Sequence, residues 1–528
     1  MHTSYVNILT SISFADSLTY ILETEEEFND SYLGRRVIVP FRNQLKIGVV
    51  FEPSQNHFPH PEKLKKVETI IDESPFISRK LLRFYKQAST YYLNPLGEVV
   101  FSGIPKWYKS ISQKTLPKES WWRVRQTLPK DRIDSIRSEK QRKIFEYIQN
   151  QGPIQSKSMT HIIKDASTQC NALFKKSLIL HSEAPFSDYK DLIDPQFKLT
   201  QDQSNAYTKI SDSEGFKTFL IDGITGSGKT EIYIRLIQDG LKLNKQSLVL
   251  VPEIGLTPQL FHEISRRIRG KVAVLHSGLS DIARARSWSY AKEGFYDVIV
   301  ATRSGIFTPF KNLGQIIIDE EHDLSFKQQS GFRYSARDLA VLRGKIENIP
   351  VILGSATPNL ETFQNAVKSK YEWLKLRQRT NNKALPKFQV HDTRQLQSTN
   401  GLSHKVIQSI QEEVDKGQQV LVFLNRRGWS PKLNCEDCSW VAECDNCDSY
   451  LTFHNHINRL KCHHCDRHYS IPEFCPDCGS QKVKKMGVGT EKVEAGLHSK
   501  LKHTQIIRVD RDTAVSYTHL TLPTTPYV

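Results

Sequence analysis

Gly223-Ile224-Thr225-Gly226-Ser227-Gly228-Lys229-Thr230 has the pattern G-x-x-x-x-G-K-[ST]. It lies between the apolar run Phe219-Leu220-Ile221 and the helical stretch Glu231-Ile232-Tyr233-Ile234-Arg235. Strand, glycine loop and helix in that order make a phosphate cradle. Gly223, Gly226 and Gly228 let main-chain N–H groups close on the anion, and the helix start adds its dipole. Lys229 is expected to reach the β- and γ-phosphates of ATP, and Thr230 to hold Mg²⁺. Further along, Ile316-Ile317-Ile318-Asp319-Glu320-Glu321-His322 ends a second apolar run in carboxylates. Alone this would read as a solvated acidic turn. Paired with the glycine loop it reads as the other half of a nucleotide site, with Asp319 on Mg²⁺ and Glu320 orienting and deprotonating the attacking water.

Eight of the nine cysteines form four C-x-x-C pairs: Cys435/Cys438, Cys444/Cys447, Cys462/Cys465 and Cys475/Cys478. Two residues between thiolates let both sulfurs of one turn reach one ion, and eight thiolates fill two tetrahedral Zn²⁺ sites. A disulfide framework is the rival reading, and it does not suit a cytoplasmic chain. Four pairs can combine in three ways, and spacing alone does not choose. Cys170, the ninth, lies in an apolar helical pattern and reads as a core residue.

The elements that must position these groups read as several domains, since the chain has 528 residues. Apolar residues are 38% and charged residues 25%, which excludes a fibre or a wholly disordered chain. No apolar run reaches the roughly 18 residues of a membrane span, and the start Met1-His2-Thr3-Ser4 lacks a signal-peptide pattern, so a cytoplasmic protein is expected. Net charge is +16, and residues 105–176 alone carry 16 Lys or Arg against 6 Asp or Glu. Such a block suits a polyanion such as nucleic acid, and on charge alone equally a solvated linker face. The first hundred residues read as β-rich, with strands at Val37–Phe41 and Lys46–Phe51 around Arg42-Asn43-Gln44 and a helix over Ser78–Tyr92. Trp107–Pro129 reads as a connector, and Lys140–Leu180 as three short helices that suit a helix-turn-helix or winged-helix module and equally a small helical domain of another kind. Apolar runs at 219–221, 248–251, 298–300, 316–318, 351–353 and 420–423 alternate with helical stretches, which predicts α/β lobes with parallel sheets.

In this order the motifs resemble a superfamily 2 DExH helicase. Asp319-Glu320-Glu321-His322 stands at the DExH box, which adds His322 to the expected catalytic set. Ser355-Ala356-Thr357 stands at the third motif, and Gln203 stands where the superfamily reads adenine. Leu250–Thr257, His276-Ser277-Gly278 and Ala301-Thr302-Arg303-Ser304 are similar to further motifs, the last two placed on the DNA backbone. The resemblance narrows to the PriA family of replication-restart helicases. It rests there on Ser325-Phe326-Lys327-Gln328 with Arg333–Asp338, on Leu424–Trp429 just before the cysteines, and on Gly487–Glu494 just after them. It implies an ATP-dependent 3′-to-5′ DNA helicase, a monomer, that acts on stalled or branched forks and binds single-stranded DNA. Implied partners are replication-restart proteins and single-stranded-DNA-binding protein. Implied domains are a β-rich 3′-end-binding domain (1–105), a basic linker and winged helix (106–190), helicase lobe 1 (191–385) and part of lobe 2 (386–514) with a zinc insertion at 434–480. By resemblance the outer pairs (Cys435, Cys438, Cys475, Cys478) share one Zn²⁺ and the inner pairs (Cys444, Cys447, Cys462, Cys465) the other.

The sequence departs from the family's pattern in places. Thr19, in Leu18-Thr19-Tyr20, stands where many members have an Asp, and Arg42 where a Gly is common; Lys65 matches. No Q-x-x-G-R-x-G-R string, the family's last motif and source of an arginine finger, occurs. Residues 515–528 contain no Lys, Arg, Asp or Glu and read as a non-native tail on a truncated lobe. The rival to an active helicase is therefore a fork-DNA and partner-binding protein without turnover. A P-loop translocase of another kind would not explain the cysteines.

Overall fold

Alternating apolar residues in the first fifty positions do build a sheet in the computed structural model of this chain. The structure describes residues 2–508 except 12–16, 55–62, 112–115, 118, 126–127, 152–153, 183–196, 253–256, 381–386, 392–397, 400–401, 425–431, 448–449, 455–458, 463–464, 466, 487–489 and 502–503. The expected motif pieces at Glu253–Leu256, Asn425–Trp429 and Gly487–Gly489, and the tail at 515–528, lie outside the described residues. The chain divides into two compact units, Met1–Ala384 and Leu385–Val528.

The first unit opens with strands β1 (His2–Thr10), β2 (Leu18–Thr24), β3 (Arg36–Phe41), β4 (Gln44–Pro53) and β5 (Thr69–Ile70). They form an antiparallel sheet in the order β2-β1-β4-β3-β5. Helix α1 (Arg79–Tyr92) starts at Ser78, whose side chain accepts from the Leu81 N–H, and ends at Leu93 in the left-handed region. It buries Leu81, Leu82, Phe84, Tyr85 and Ala88, and α2 (Leu96–Gly103) follows. The turn at Arg42 has φ 53°, a left-handed conformation that favours glycine and that Arg42 adopts here at some steric cost.

Between Trp107 and Pro129, expected as a plain connector, stands β6 (Trp121–Val124). It is the middle strand of a small antiparallel sheet with β7 (Ile154–Gln155) and β8 (Ile179–Ser182). Helices α3 (Lys130–Asp134), α4 (Glu139–Gln151) and α5 (Ala166–Lys175) complete this basic region. Its expected middle helix is only a 3₁₀ turn, Ser156–Met159, too short to offset the cost of helix nucleation. Trp122, Ile144, Phe145, Met159, Cys170 and Leu173 share its core. Cys170 is fully buried, and burial pushes its thiol up to about 12, which makes it inert packing.

The largest sheet is entirely parallel. After α6 (Gln201–Ser211) come β9 (Thr218–Gly223), α7 (Lys229–Lys242), β10 (Gln246–Leu250), α8 (Thr257–Arg267), β11 (Val272–Leu275), α9 (Asp281–Glu293), β12 (Val298–Ala301), β13 (Leu313–Ile318), α10 (Ala336–Glu347), β14 (Val351–Ser355), α11 (Leu360–Val367) and β15 (Glu372–Leu376). Strand order is β11-β12-β10-β13-β14-β9-β15. Apolar cores cover both faces, as continuous β-branched runs require. One of these cores is continuous with that of the amino-terminal sheet and its helices. Phe76 stacks on Trp288 at 4.5 Å and Tyr85 on Phe307 at 5.6 Å. The Tyr92 hydroxyl accepts from the Ser335 N–H at 3.0 Å.

In the second unit, β16 (Ser398–Thr399) pairs with β17 (Leu402–Ser403), and α12 (His404–Asp415) follows. The expected strand Val420–Phe423 is not one. It has no ladder partner among the described residues, and Leu421 and Phe423 are 90% and 80% exposed. A strand needs a neighbour to satisfy its N–H and C=O groups. Around the cysteines stand β18 (Lys432–Cys435), β19 (Thr452–His454), β20 (Arg459–Lys461), β21 (His468–Tyr469) and β22 (Val483–Met486), with α13 (Thr490–Lys500) beyond them; only Cys435 lies in a strand, the other paired cysteines in the turns between. β18 pairs with β22, and β19-β20-β21 form a second antiparallel sheet. Among the described residues no helix is long and apolar enough to cross a membrane.

Candidate nucleotide site and cysteine clusters

β13 and β9 flank β14, so the carboxyl ends of three adjacent strands meet at one edge of the sheet. That edge is where open α/β sheets bind ligands. β9 leads into the glycine loop, β13 into Asp319-Glu320-Glu321-His322, and β14 ends at Ser355. Gly226 and Gly228 have φ +80° and +75°. A Cβ at Gly228 would come within 2.3 Å of Gln203 Nε2, and one at Gly223 within 2.5 Å of Ser227 Oγ. A side chain at either place would displace the Gln203 or Ser227 side chain. α7 starts at Gly228 without a side-chain cap, which leaves its first N–H groups for a ligand. Among the described residues Ser227 Oγ is buried without a hydrogen-bond partner. An uncapped helix start, two left-handed glycines and an orphaned hydroxyl suit the phosphates of ATP.

Lys229 and Thr230 open α7. Lys229 Nζ donates to the Gly223 carbonyl at 3.2 Å and lies 3.8 Å from Glu320 Oε1. The loop and the acidic box are thus in reach of one ammonium. Glu320 has φ 48°, a conformation uncommon for a non-glycine residue and one that the surrounding structure must hold. His322 Nδ1 lies 2.7 Å from Ser355 Oγ and 3.6 Å from Glu320 Oε2. Asp319 is raised to about 6, chiefly by burial and then by the Glu320 charge, with Lys229 opposing. A buried, part-neutralised carboxyl beside a second carboxylate suits a divalent cation, which would displace the proton and supply the counter-charge.

Gln203 lies 2% exposed in the first turn of α6. Its Oε1 accepts from the Thr200 N–H at 2.9 Å, half of a capping box, and its Nε2 donates to the Ser227 carbonyl at 2.8 Å. Glu321, between Glu320 and His322, is buried. It accepts from Asn359 N at 2.8 Å, Thr362 Oγ1 at 2.9 Å and Arg337 Nη1 at 3.4 Å. Phe326, Phe332 and Tyr334 of the following loop are buried core residues.

Tyr233 escaped sequence reading. Its hydroxyl donates to Asp319 Oδ1 at 3.2 Å, and burial holds that phenol well above its ordinary range. The available signal was its place one turn after Lys229, on the same face of α7. A Cβ at Gly354 would lie 1.7 Å from the Tyr233 hydroxyl. Gly354→Ala is therefore expected to lower stability by about 1–3 kcal/mol, read as a lower denaturant midpoint at unchanged slope.

In the amino-terminal sheet the Lys65 ammonium donates to the Arg42 carbonyl at 3.1 Å, and the Ile21 N–H donates to the Lys65 carbonyl at 3.0 Å. Thr19 Oγ1 turns to Asn7 Oδ1 at 2.9 Å. His276 Nδ1 accepts from the Gly278 N–H, and Arg303 donates to the Ser325 carbonyl at 2.9 Å.

The eight paired cysteines gather in two sets: Cys435, Cys438, Cys475 and Cys478, and Cys444, Cys447, Cys462 and Cys465, with sulfurs within 4.8 Å in each. The outer pairs meet each other and so do the inner pairs. Neighbouring sulfurs stand 3.4–3.6 Å apart. Zinc bound tetrahedrally at about 2.3 Å sets thiolates about 3.8 Å apart, whereas a disulfide needs about 2.05 Å. The geometry fits zinc and not disulfides. The two outer turns repeat one hydrogen-bond plan. Cys435 N–H donates to the Trp440 carbonyl and Cys475 N–H to that of Ser480. Ser439 and Gly479 N–H donate back to Cys435 and Cys475, both from left-handed conformations. Around the inner set, Tyr469 hydroxyl lies 3.1 Å from Cys444 Sγ and donates to Asp445.

Three family descriptions match the chain. Residues 7–105 match the PriA 3'DNA-binding domain (3'BD), residues 200–366 the DEAD/DEAH box helicase family, and residues 444–468 the PriA DNA helicase Cys-rich region (CRR) domain. The chain is 37% identical to "Replication restart protein PriA" of Haemophilus influenzae, over 91% of this chain and 67% of that protein. It is 32% identical to the protein of that name from Chlamydia trachomatis, over 96% and 70%. With the Bacillus subtilis protein of that name it shares 39% identity over 66% of this chain and 45% of the relative. The matched stretch thus spans about two thirds or less of the length of several of these relatives. Among solved structures, RecG bound to a three-way DNA junction is similar at TM-score 0.31 and 23% identity, over 42% of this chain and 28% of that one. With identity above 30% over nearly its whole length, matched at both its 3'DNA-binding and its cysteine-rich regions, this chain belongs to the PriA family of replication restart proteins.

Proposed function

We propose that the chain is the ATP-dependent DNA helicase of replication restart, moving 3′ to 5′ at stalled or branched forks. The observation that carries this reading is the meeting of Lys229, at the mouth of the glycine loop, with Glu320 of the acidic box at 3.8 Å. Lys229 binds the β- and γ-phosphates, Thr230 and Asp319 hold Mg²⁺, Glu320 orients the attacking water, and Gln203 lies on the adenine side. His322, bonded to Ser355, links the acidic box to the end of β14. Residues 1–105 take the 3′ end near Lys65 and Arg42. Residues 106–190 act as a winged helix on the duplex, since they combine three helices, a small sheet and a +10 charge block. The two cysteine sets hold one Zn²⁺ each and present a surface to restart partners and to single-stranded-DNA-binding protein. When bound, MgATP supplies the phosphoryl group whose transfer to water drives strand separation.

The test is ATP turnover on forked DNA with and without an exposed 3′ end. Turnover is expected to rise at least about tenfold with the fork and to fall when the 3′ end is blocked. A rate indifferent to DNA would remove the helicase reading. Tight fork binding without any turnover would favour a binding protein instead.

A further inference from the structure

The glycine loop leaves a row of main-chain carbonyls to satisfy, and each has a donor. Gly223 O accepts from Lys229 Nζ at 3.2 Å, and Ile224 O from the Ser227 N–H at 2.9 Å. Ser227 O and Gly228 O accept from Gln203 Nε2 at 2.8 and 3.4 Å. The remaining two are met from the segment that follows β15. Arg379 Nε donates to Thr225 O at 3.0 Å, and Thr380 donates to Gly226 O twice, from its main-chain N–H at 3.0 Å and from Oγ1 at 3.2 Å. The segment is pinned at its start as well: Arg377 N–H donates to Asp202 Oδ2 at 3.0 Å, one residue before Gln203. Thr380 Cγ2 comes within 2.9 Å of where a Gly228 Cβ would stand.

We propose that Arg379 and Thr380 are positioning residues of the nucleotide cradle. They hold the Thr225 and Gly226 carbonyls turned outward, so that the loop N–H groups other than those of Ile224 and Ser227, which bond Leu376 O and Ile224 O, stay aimed inward for the phosphates. A loop of alternating N–H and C=O groups binds an anion only when the carbonyls face away from it. A left-handed glycine costs little to turn either way, so the outward orientation needs outside partners. Gln203 supplies them on one flank and the 379–380 strap on the other.

This inference rests on the ATP reading of the site, and the experiment separates the two. A fluorescent ADP is titrated with Mg²⁺ into the full chain and its variants. Arg379→Ala is expected to weaken binding about five- to tenfold and Thr380→Val about two- to threefold, the range of one or two hydrogen bonds. Arg379→Lys, still able to donate to Thr225 O, recovers to within about threefold of wild type. Arg377→Ala leaves affinity unchanged, because that residue makes its contact through the main chain. Thermal melting of each variant verifies that it folds. If Lys229→Ala binds like wild type, the nucleotide reading itself falls. If Lys229→Ala loses binding while Arg379→Ala and Thr380→Val keep it, the strap assignment alone is overturned. Equal losses in Arg377→Ala and Arg379→Ala overturn it too, since bulk positive charge would then be the cause.

Discussion

Lys229→Ala is expected to cut DNA-stimulated ATP turnover by about 10²–10³-fold, the usual cost of removing one preorganised charge from a transition state. The Lys229 side chain is 10% exposed, with Gly223 O on one side and Glu320 on the other. Its ammonium also opposes the rise of the Asp319 pKa, so the variant drives that carboxyl further above about 6. For an acid this direction means more proton bound in the folded than in the unfolded chain, and stability lost rather than gained as pH rises through the folded pKa. The folded variant should therefore tolerate mildly acid solution at least as well as wild type while failing in turnover. Glu320→Gln separates the roles, because it should keep nucleotide affinity and lose the chemical step. Turnover of Lys229→Ala within twofold of wild type would end the phosphate-loop assignment.

The second large effect concerns the cysteines. Elemental analysis is expected to find two zinc ions per chain, and one in either Cys435→Ser or Cys444→Ser. Structural zinc in small domains has an apparent binding free energy of about 10–16 kcal/mol near neutral pH. Chelation should therefore unfold residues 434–483 rather than loosen them, read as rapid tryptic cleavage there. The small core of Leu433, Ala442, Leu451, Phe453 and Leu460 that remains is too slight to hold those strands alone. Both zinc ions lost together in Cys435→Ser would mean one shared site, against the two separated sets.

Much of the site was legible because its chemistry is local. The glycine loop, the acidic box and the C-x-x-C pairs each fit within a few residues, and the glycine loop and the acidic box each follow a short apolar strand. Five of the six apolar runs are strands of the large sheet. Two strands at the edges of the sheet were missed: β11, Val-Ala-Val-Leu, is a short run only half buried, and in β15, Glu-Trp-Leu-Lys-Leu, Glu372 and Lys375 interrupt the apolar residues. β6 was hidden among prolines and basic residues. Val420–Phe423 had the pattern of a buried strand without a partner, and pattern alone cannot supply one. The contacts of Tyr233, Arg337, Arg379 and Thr380 cross 16 to 154 residues. No window along the chain reveals them. The grouping of the cysteines was equally closed to spacing and followed only from the family resemblance.

The buried seam through Phe76, Tyr85, Trp288 and Phe307 sets a mechanical condition on the motor. Domains joined by a large apolar interface lose the relative freedom that polar interfaces leave them. The amino-terminal sheet therefore rides on the nucleotide lobe as cargo bolted to an engine block. Lys65 and Lys229 thus belong to one compact unit, and the apolar seam ties the 3′DNA-binding region to the nucleotide lobe.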